Sequence, residues 1–399
     1  MRLRSHSICT PDGIVDGWLE YDKGVITNIV KGADPKAVDL GTAMIIPGIF
    51  DTHNHSCNGW SISGATEQQR VDQTRHYLKA LASHAVTSVF PTLFYDQPCQ
   101  AGLDELATAA GFVGQLVDGA CSAGVHYEGP FLNRVGEHGQ RPAVHPIDLD
   151  YVRRCIELGH GRLKLMGHAP ELPGSAAMTA MLVENGVTAA FTHTDCTAAQ
   201  AFEAFDRGIT VATHTCNVMV GIHHRDVGGM GACLLDQRVY CELIADGLHV
   251  CNDMLKLILR AKPHDHVMLI SDSSHFVGLP AGHYASDGTV YNIDAQGHVY
   301  DANGSLSGSS KPVLYDIGNL VRNVGIDMTD ALKMSSLYPA RKYGLADRKG
   351  ALEPGKDADF AIVSPSFDCL QTYVGGVKVF DHATDTDLDN PEILKKKID

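Results

Sequence analysis

Short apolar, β-rich runs alternate with helical stretches through the middle of this 399-residue chain, and this alternation constrains its fold most strongly. Parallel strands joined by helices produce this pattern, and eight such units are typical of a (β/α)8 TIM-type barrel of the α/β class. No Gly-x-Gly-x-x-Gly follows the first strand, so an open dinucleotide-binding sheet has little support. The eight candidate strands are Ala43–Asp51, Thr87–Thr92, Gly124–Glu128, Leu163–Ala169, Val187–His193, Ile209–His214, Val239–Asp246 and Val267–Asp272. The clearest helical stretches are Asp72–Ala85, Thr197–Arg207 and Asn252–Lys262.

The two ends of the chain have a different pattern. Apolar and polar residues alternate around turn residues in Trp18–Val30, and again in Gly355–Val363 and Thr372–Phe380. A period of two predicts half-buried strands. We therefore expect residues 1–44 and 351–385 to form one small, discontinuous β-sandwich domain beside a catalytic barrel of residues 45–350. The polar, charged tail, residues 386–399, is expected to be a solvated extension.

Charge and cysteine usage exclude several function classes. The 32 Lys and Arg against 47 Asp and Glu give a net charge of −15, which repels nucleic acid and anionic membranes. No apolar run approaches the roughly 20 residues that span a bilayer. The 11 cysteines include no Cys-x-x-Cys pair, and the amino end lacks the apolar segment of a signal peptide. These features predict a reduced, cytoplasmic protein with no membrane span and no nucleic-acid partner.

Residues that can bind metals lie at the carboxyl ends of the predicted strands. His53 and His55 are two residues apart on a strand, so their imidazoles point the same way. Neutral imidazole is the commonest protein ligand for zinc and similar ions. In a barrel, all the carboxyl ends meet at one mouth, where active sites lie. This mouth would bring the pair together with Glu128, His193, His214 and Asp272.

This set of residues predicts a site for one or two divalent ions. Each histidine alone is more often a core or capping residue, but four imidazoles and two carboxylates at one mouth reverse those odds. A bound metal lowers the pKa of its water to about 7, which makes hydroxide available at neutral pH. Asp272 ends an apolar run and could accept the proton of that hydroxide and later deliver it to a leaving group. Hydrolysis is the expected chemistry, and zinc or iron would suit these ligands.

Six segments carry a resemblance to a known family. They follow one another in the order found in the N-acetylglucosamine-6-phosphate deacetylase family of the amidohydrolase superfamily, which this chain resembles from Pro47 to Asp359. The segments are His126–Phe131 (His-Tyr-Glu-Gly-Pro-Phe), Ala169–Glu171 (Ala-Pro-Glu), Thr213–Met219 (Thr-His-Thr-Cys-Asn-Val-Met), His224–Asp226 (His-Arg-Asp), Ile244–Val250 (Ile-Ala-Asp-Gly-Leu-His-Val) and Ser271–Asp272.

The resemblance implies a role for each matching residue. Glu128, His193 and His214 would hold the main metal, while His53 and His55 would join Glu128 around a second metal that some family members lack. Asp272 matches the general base and acid. Arg225 matches the arginine that binds the sugar phosphate, and a guanidinium fork suits phosphate oxygens. Asn217 and the backbone of Val218 would add phosphate contacts, and His249 would contact the substrate.

The chain also departs from the family pattern. Some members place a histidine that polarises the acetyl carbonyl twelve residues after the metal-binding glutamate, where this chain has Gln140. We expect the second metal to polarise the carbonyl instead, with His138 or His145 as the alternative. His224–Gly228 and Ser271–His275 also differ from the usual family motifs, which leaves the sugar configuration and the need for phosphate open.

The expected function is metal-dependent removal of the N-acetyl group from an N-acetylhexosamine 6-phosphate, with N-acetyl-D-glucosamine 6-phosphate first, by a homodimer. One alternative is an N-acetylgalactosamine-6-phosphate deacetylase. Another is a cyclic-amide hydrolase, which would use a carboxylated lysine, with Lys164 on the fourth strand as the candidate. A third alternative is a non-catalytic sugar-phosphate binding protein, but such a protein would be expected to have lost Asp272 or the metal ligands.

Overall fold

The computed structural model describes residues 1–135, 145–286, 289–304, 306 and 308–398. The chain starts with five strands that belong to a sheet shared by both termini: β1 (Arg2–Thr10), β2 (Gly13–Asp22), β3 (Val25–Lys31), β4 (Val38–Asp39) and β5 (Met44–Pro47).

The middle of the chain alternates strands with helices, as the sequence predicts. Its strands are β6 (Ile49–Asn54), β7 (Ser56–Cys57), β8 (Trp60–Ser61), β9 (Val86–Phe94), β10 (Cys121–Ser122), β11 (Val125–Phe131), β12 (Leu163–His168), β13 (Thr188–Phe191), β14 (Ile209–Ala212), β15 (Tyr240–Leu243) and β16 (Val267–Leu269). Its helices are α1 (Glu67–Ala82), α2 (Gln100–Phe112), α3 (Leu149–Gly159), α4 (Ser175–Glu184), α5 (Ala198–Asp206), α6 (Gly228–Leu235) and α7 (Asn252–Ala261), followed by a 3₁₀ turn (His264–His266).

Nine of these strands form one parallel sheet. The strands β6, β9 and β11 to β16 pair in chain order, and the short β10 lies beside β9. Between the first and last strands there is one isolated parallel bridge, Asn54 to Ser273. Close to it, the Asp272 N–H donates to the His53 carbonyl at 2.9 Å. The carboxyl ends of β6 and β16, the first and last strands in this pairing order, therefore meet where the predicted site residues lie.

The first predicted strand needs a correction. Ala43–Asp51 is not one strand but two, because β5 pairs with the terminal sheet and β6 with the parallel sheet. The run is divided at Pro47 and Gly48, where proline supplies no N–H for a continuing ladder. Gly48 also leaves no room for a side chain, since a Cβ there would lie 2.1 Å from Thr87 Oγ1.

The segment after β16 contributes a hairpin and a second group of helices. The hairpin strands are β17 (Gly282–Ser286), β18 (Thr289–Ile293) and β19 (Val299–Tyr300). The helices are α8 (Val313–Asn319), which runs into a π-helical turn (Leu320–Val324), α9 (Met328–Ser335) and α10 (Leu337–Lys342).

The carboxyl-terminal strands β20 (Phe360–Val363), β21 (Cys369–Val374) and β22 (Val377–Asp381) complete the terminal sheet, in the order β22-β21-β20-β5-β1-β2-β3. Alternate residues of its central strands face two different cores. Ile45 and Phe360 pack into a core of the terminal sheet itself, whereas Ile46 and Ala361 pack into the large core shared with the helices. The sheet therefore has its own interior and a second face against the central domain.

The tail differs from its predicted solvated extension. Residues after β22 form α11 (Pro391–Leu394) and β23 (Lys397–Ile398), which pairs with β17. Ile393 is buried beside Phe276 and Tyr284. Charged side chains dominate the tail, but a few neutral ones anchor it, and composition alone did not identify them. Among the described helices, none is both long and apolar enough to cross a membrane.

Candidate metal centre

Glu128, in the middle of β11, lies between two pairs of histidines. Its Oε1 is 2.9 Å from the Nε2 atoms of both His193 and His214. Its Oε2 is 3.2 Å from His53 Nε2 and 3.1 Å from His55 Nε2. We call the first group, with Oε1, the His193 side and the second, with Oε2, the His53 side. One carboxylate thus faces each pair with a different oxygen.

The spacing of these atoms fits metal ligands. The two Nε2 atoms are 3.1 Å apart on the His53 side and 3.1 Å apart on the His193 side. Ligands about 2.0–2.1 Å from a tetrahedral zinc would lie roughly 3.3–3.4 Å from one another. Both groups consist of nitrogen and carboxylate atoms that lie within 4.8 Å of one another, and both could hold a divalent ion. Glu128 would then bridge the two ions.

Asp272 belongs to the His53 side. Its Oδ1 is 3.4 Å from His53 Nε2 and 3.2 Å from His55 Nε2. Its backbone φ is +47°, and His193 and His214 also have positive φ, at +48° and +31°. Such conformations cost about 1–3 kcal/mol for residues other than glycine, and they concentrate at functional sites. Backbone hydrogen bonds to His53 and Ser309 hold Asp272 in place.

Outer contacts orient two of the four imidazoles. The Nδ1 of His193 is 2.7 Å from the Arg134 carbonyl, and the Nδ1 of His55 is 3.2 Å from the Thr92 carbonyl. A carbonyl can only accept, so each Nδ1 carries the proton and each Nε2 presents its lone pair to the centre. This is the tautomer that a metal ligand needs.

The charges of the cluster shift one another strongly. Burial lowers the pKa of His53, but the Glu128 and Asp272 carboxylates overcome this and raise it well above its usual value. The same opposition raises the pKa of His55 to about 9. Burial would raise the pKa of Asp272, yet His53 and His55 lower it to about 2. The pKa of Glu128 is likewise held well below its ordinary value by the surrounding histidines. The site therefore keeps its carboxylates ionised and attracts cations.

The centre opens into a cavity of about 860 Å³. Of the residues predicted to bind substrate, Asn217, Val218 and His249 line it, beside His55, His193, His214, Glu128 and Asp272. His249 is held by Asp246, whose Oδ2 is 2.7 Å from His249 Nδ1. Such a cavity is large enough for a hexose phosphate.

Of the two remaining predicted substrate residues, the structure does not bring Arg225 to this cavity and does not describe Gln140. Arg225 is exposed, its Nη1 is 2.8 Å from His224 Nε2, and it is not among the described residues that line the cavity. Gln140 lies outside the described residues, as does His138. His145 is half-buried and, like Arg225, is not among the cavity-lining residues.

Sequence reasoning missed several cavity residues and one buried contact. The walls include Ser61 and Ser63 near β8, and Tyr291 of the β17–β18 hairpin. Glu105 also lines the cavity, and burial raises its pKa. Behind the metal ligands, Glu242 Oε2 is 3.4 Å from His53 Nδ1. Only Glu242 had a usable signal, as a charged residue within a strand of apolar neighbours.

Lys164 does not contact the metal cluster. It lies near the start of β12, and its Nζ donates to the Gly161 carbonyl at 2.8 Å. Glu128 lies in the middle of the neighbouring strand β11. Glu128 could supply a carboxylate between two ions, so a carboxylated lysine would not be needed there.

Comparisons with known proteins place this chain among the amidohydrolases. The model of the amidohydrolase family matches residues 44–379. The N-acetylglucosamine-6-phosphate deacetylase of Vibrio furnissii is 30% identical over 87% of this chain and 86% of its own length. The N-acetylgalactosamine-6-phosphate deacetylase of Escherichia coli O157:H7 is 27% identical over 94% of this chain and 98% of its own length. The crystal structure of N-acetyl-D-glucosamine-6-phosphate deacetylase from Mycobacterium smegmatis superposes with a TM-score of 0.84 at 28% identity, covering 95% of this chain and 100% of that one.

Proposed function

This chain belongs to the N-acetylglucosamine-6-phosphate deacetylase family of the amidohydrolases, and we propose that it removes the N-acetyl group from an N-acetylhexosamine 6-phosphate, first of all N-acetyl-D-glucosamine 6-phosphate. The products would be acetate and the amino-sugar phosphate. The observation that carries the proposal is Glu128 placed between two imidazole pairs, with Asp272 beside one of them, in a cavity of about 860 Å³.

Different residues of the described site would have different roles in amide hydrolysis. His193, His214 and Glu128 would hold one divalent ion, and His53, His55 and Glu128 a second, with zinc or iron fitting the ligands. When bound, the metal would activate water and polarise the acetyl carbonyl. Asp272, ionised because of its low pKa, would take a proton from the attacking water. It would then deliver that proton to the leaving nitrogen as the carbon–nitrogen bond breaks.

The substrate would be held by residues around the cavity. We propose that the Asn217 side chain, the Val218 backbone and Arg225 bind the phosphate, and that His249, fixed by Asp246, contacts the sugar. Arg225 is exposed and stands away from the cavity of its own chain. This placement supports a homodimer in which Arg225 serves the phosphate site of the partner.

The proposal includes a closed (β/α)8 barrel with a terminal β-sandwich. The bridge from Asn54 to Ser273 and the hydrogen bond from Asp272 to His53 support closure of the barrel between β6 and β16. The separate core of the terminal sheet supports the sandwich. Active sites of such barrels lie at the carboxyl ends of the strands, where this cluster is found.

Acetate release from a panel of N-acetylated hexosamines and their 6-phosphates tests the function. We expect release from N-acetyl-D-glucosamine 6-phosphate with the metal-loaded protein, and much less from the sugar without phosphate. No acetate from any member of the panel, with metal bound, would contradict the enzyme and favour a sugar-phosphate binding protein.

A second candidate substrate is N-acetylgalactosamine 6-phosphate. It is favoured by the Escherichia coli relative, which aligns over 98% of its own length, and by the unusual Ser271–His275 segment that borders the cavity. Comparing kcat/KM for the two epimers decides between them, because the specificity ratio reports the difference in transition-state binding.

The role of Arg225 has its own test. Arg225→Ala should raise KM for the phosphorylated substrate about 10–100-fold, the effect of losing charge-assisted hydrogen bonds, while kcat changes little. The matched control is Arg153, which is also exposed but lies on α3. Arg153→Ala should leave KM unchanged. An unchanged KM in Arg225→Ala would remove this residue from the site.

A further inference from the structure

Glu242 is a fully buried carboxylate that the mechanism above does not use. It lies within β15, between Cys241 and Leu243, and its side chain is 0% exposed. The Thr52 hydroxyl donates to Glu242 Oε1 at 2.9 Å. Oε2 has no hydrogen bond of regular geometry among the described residues, yet it stands 3.4 Å from His53 Nδ1.

His53 Nδ1 is also a buried polar atom that lacks a hydrogen bond of regular geometry within the described part of the chain. Glu242 Oε2 is the polar atom that faces it. Leaving a buried donor and a buried acceptor unpaired costs about 1–3 kcal/mol each. Two such atoms facing each other, a few tenths of an ångström beyond hydrogen-bond distance, form a natural pair once the imidazole is drawn into place.

This arrangement sets His53 apart from the other ligand histidines. The Nδ1 atoms of His55 and His193 face backbone carbonyls. Among the ion pairs within the described residues, Glu242 pairs with His53 and with no lysine or arginine. A carboxylate behind a ligand imidazole fixes its tautomer and raises its basicity. The negative charge of Glu242 is also compensated best when a cation is bound on the far side of the ring.

We propose that Glu242 is a positioning residue for the His53 side of the metal centre. It accepts a hydrogen bond from His53 Nδ1–H, directs the Nε2 lone pair towards the ion, and sets the affinity of this side for a divalent cation. Thr52 holds the other carboxylate oxygen and so keeps Glu242 pointed at His53. This assignment rests on the proposed two-ion centre, and it predicts that removing the charge of Glu242 changes one side of that centre and spares the other.

Titration of the metal-free protein with Zn²⁺, followed by calorimetry and elemental analysis, tests the assignment. In Glu242→Gln, the weaker of the two binding steps should lose about 10–100-fold in affinity, as is typical when the outer partner of a ligand histidine is removed. The tighter step should be unchanged. Co²⁺ substitution gives a second readout, since the absorption of only one of the two ions should shift.

Three further variants keep the test decisive. Asp316→Asn changes another fully buried carboxyl group, which accepts a hydrogen bond from the Ala245 N–H and, within the described part of the chain, forms no hydrogen bond or ion pair with the metal ligands. This variant should bind both ions as the wild type does. Thr52→Val removes the hydrogen bond to Glu242 Oε1 and leaves the His53 side chain unchanged. It should weaken the same binding step as Glu242→Gln, by a few-fold. Glu242→Asp should recover part of the lost affinity.

The failures are distinguishable. A wild-type protein that binds one ion would overturn the two-ion centre and this assignment with it. A wild type with two ions, and a Glu242→Gln variant with both affinities unchanged, would overturn the assignment alone. Equal loss at both steps, matched by Asp316→Asn, would also overturn it, because Glu242 would then support only the general packing of the fold.

Discussion

The two sides of Glu128 are built differently. The His53 side takes one imidazole from β6 and the other from His55, which directly follows that strand; Asp272 lies within 3.4 Å and the buried carboxylate of Glu242 backs His53. The His193 side takes its imidazoles from the ends of two strands, and both residues have positive φ. Behind His193 lies a backbone carbonyl rather than a charge. Asp272, the proposed acid and base, is thus on one side, whereas residues with positive φ occur on both.

This difference teaches what each side depends on. The His53 side depends on the alternation of a single strand, which orients two residues at once. The His193 side depends on the whole sheet, because Glu128, His193 and His214 come from three strands that only the tertiary fold brings together. Glu128 is the one residue common to both, so the following changes should separate the sides or abolish them together.

Removing the bridge should have the largest effect. Glu128→Gln replaces one of the two carboxylate oxygens with an amide group and leaves both clusters of imidazoles without the negative charge that they share. We expect both ions to bind weakly and activity to fall by more than about a thousand-fold, since loss of electrostatic stabilisation alone costs about 10²–10³. Elemental analysis and acetate release check this. One ion retained at full affinity would show that the sides are independent.

Changing Asp272 should reduce activity without emptying the His193 side. Asp272→Asn keeps the size of the side chain but cannot take a proton from water. We expect kcat to fall about 10²–10⁴-fold, the usual contribution of a general base, with KM nearly unchanged. The ion on the His193 side should remain bound at full occupancy. A kcat within about threefold of the wild type would assign proton transfer to another group.

Much of this comparison was predictable from sequence, and the reason lies in periodicity. Eight of the nine strands of the parallel sheet were located, because each is a short apolar run, and the two-residue strand β10 was missed. His53 and His55 stood out because their spacing matches a strand. The positions of Glu128, His193 and His214 at the ends of predicted strands added them to the site, and the resemblance to the deacetylase family assigned them to the main metal.

What the sequence did not predict depends on long-range packing. The run Ala43–Asp51 looked continuous because both of its halves are apolar, although they pair with different sheets. The tail looked solvated because its few anchors, such as Ile393, are scattered among charges. Glu242 became meaningful only when the fold brought its carboxylate, on β15, to 3.4 Å from the Nδ1 of His53 on β6.

The pH dependence of the metal-free protein should sharpen the view of the His53 side. The pKa of His55 is raised to about 9, so protonated His55 stabilises the folded protein. This contribution is fully present below the usual pKa of about 6.5 and is lost as pH rises through about 9. The pKa of Asp272, lowered to about 2, contributes stability that is present above about 3.9 and is lost as pH falls towards 2. Their joint contribution should be greatest between about pH 4 and 6.5.

Thermal unfolding of the metal-free protein across this range checks the prediction. His55→Ala should flatten the alkaline part of the profile, while Zn²⁺ should extend stability to higher pH because it replaces the protons. If the unfolding temperature of His55→Ala depends on pH as that of the wild type does, the ion pair between His55 and Asp272 does not stabilise the fold as the geometry indicates.

The smallest effect is expected at the cavity wall, away from both sides of Glu128. Asn390 Nδ2 donates to the Gly59 carbonyl at 2.8 Å and so holds the β7–β8 loop, which leads into the wall residues Ser61 and Ser63. Asn390→Ala should raise KM a few-fold, the effect of losing about 1 kcal/mol of hydrogen bonding, with kcat and metal content unchanged. Thr384→Ala, at an exposed position of the tail, is the control. A loss of metal in Asn390→Ala would contradict this separation.

The metal content of the wild type and of a His53→Ala, His55→Ala double variant tests the central claim most directly. Elemental analysis of the two proteins, purified with excess Zn²⁺ and then dialysed, should give two ions per chain for the wild type and one for the variant, which would be the ion on the His193 side. One ion per chain in both proteins would contradict the claim that Glu128 bridges two sites.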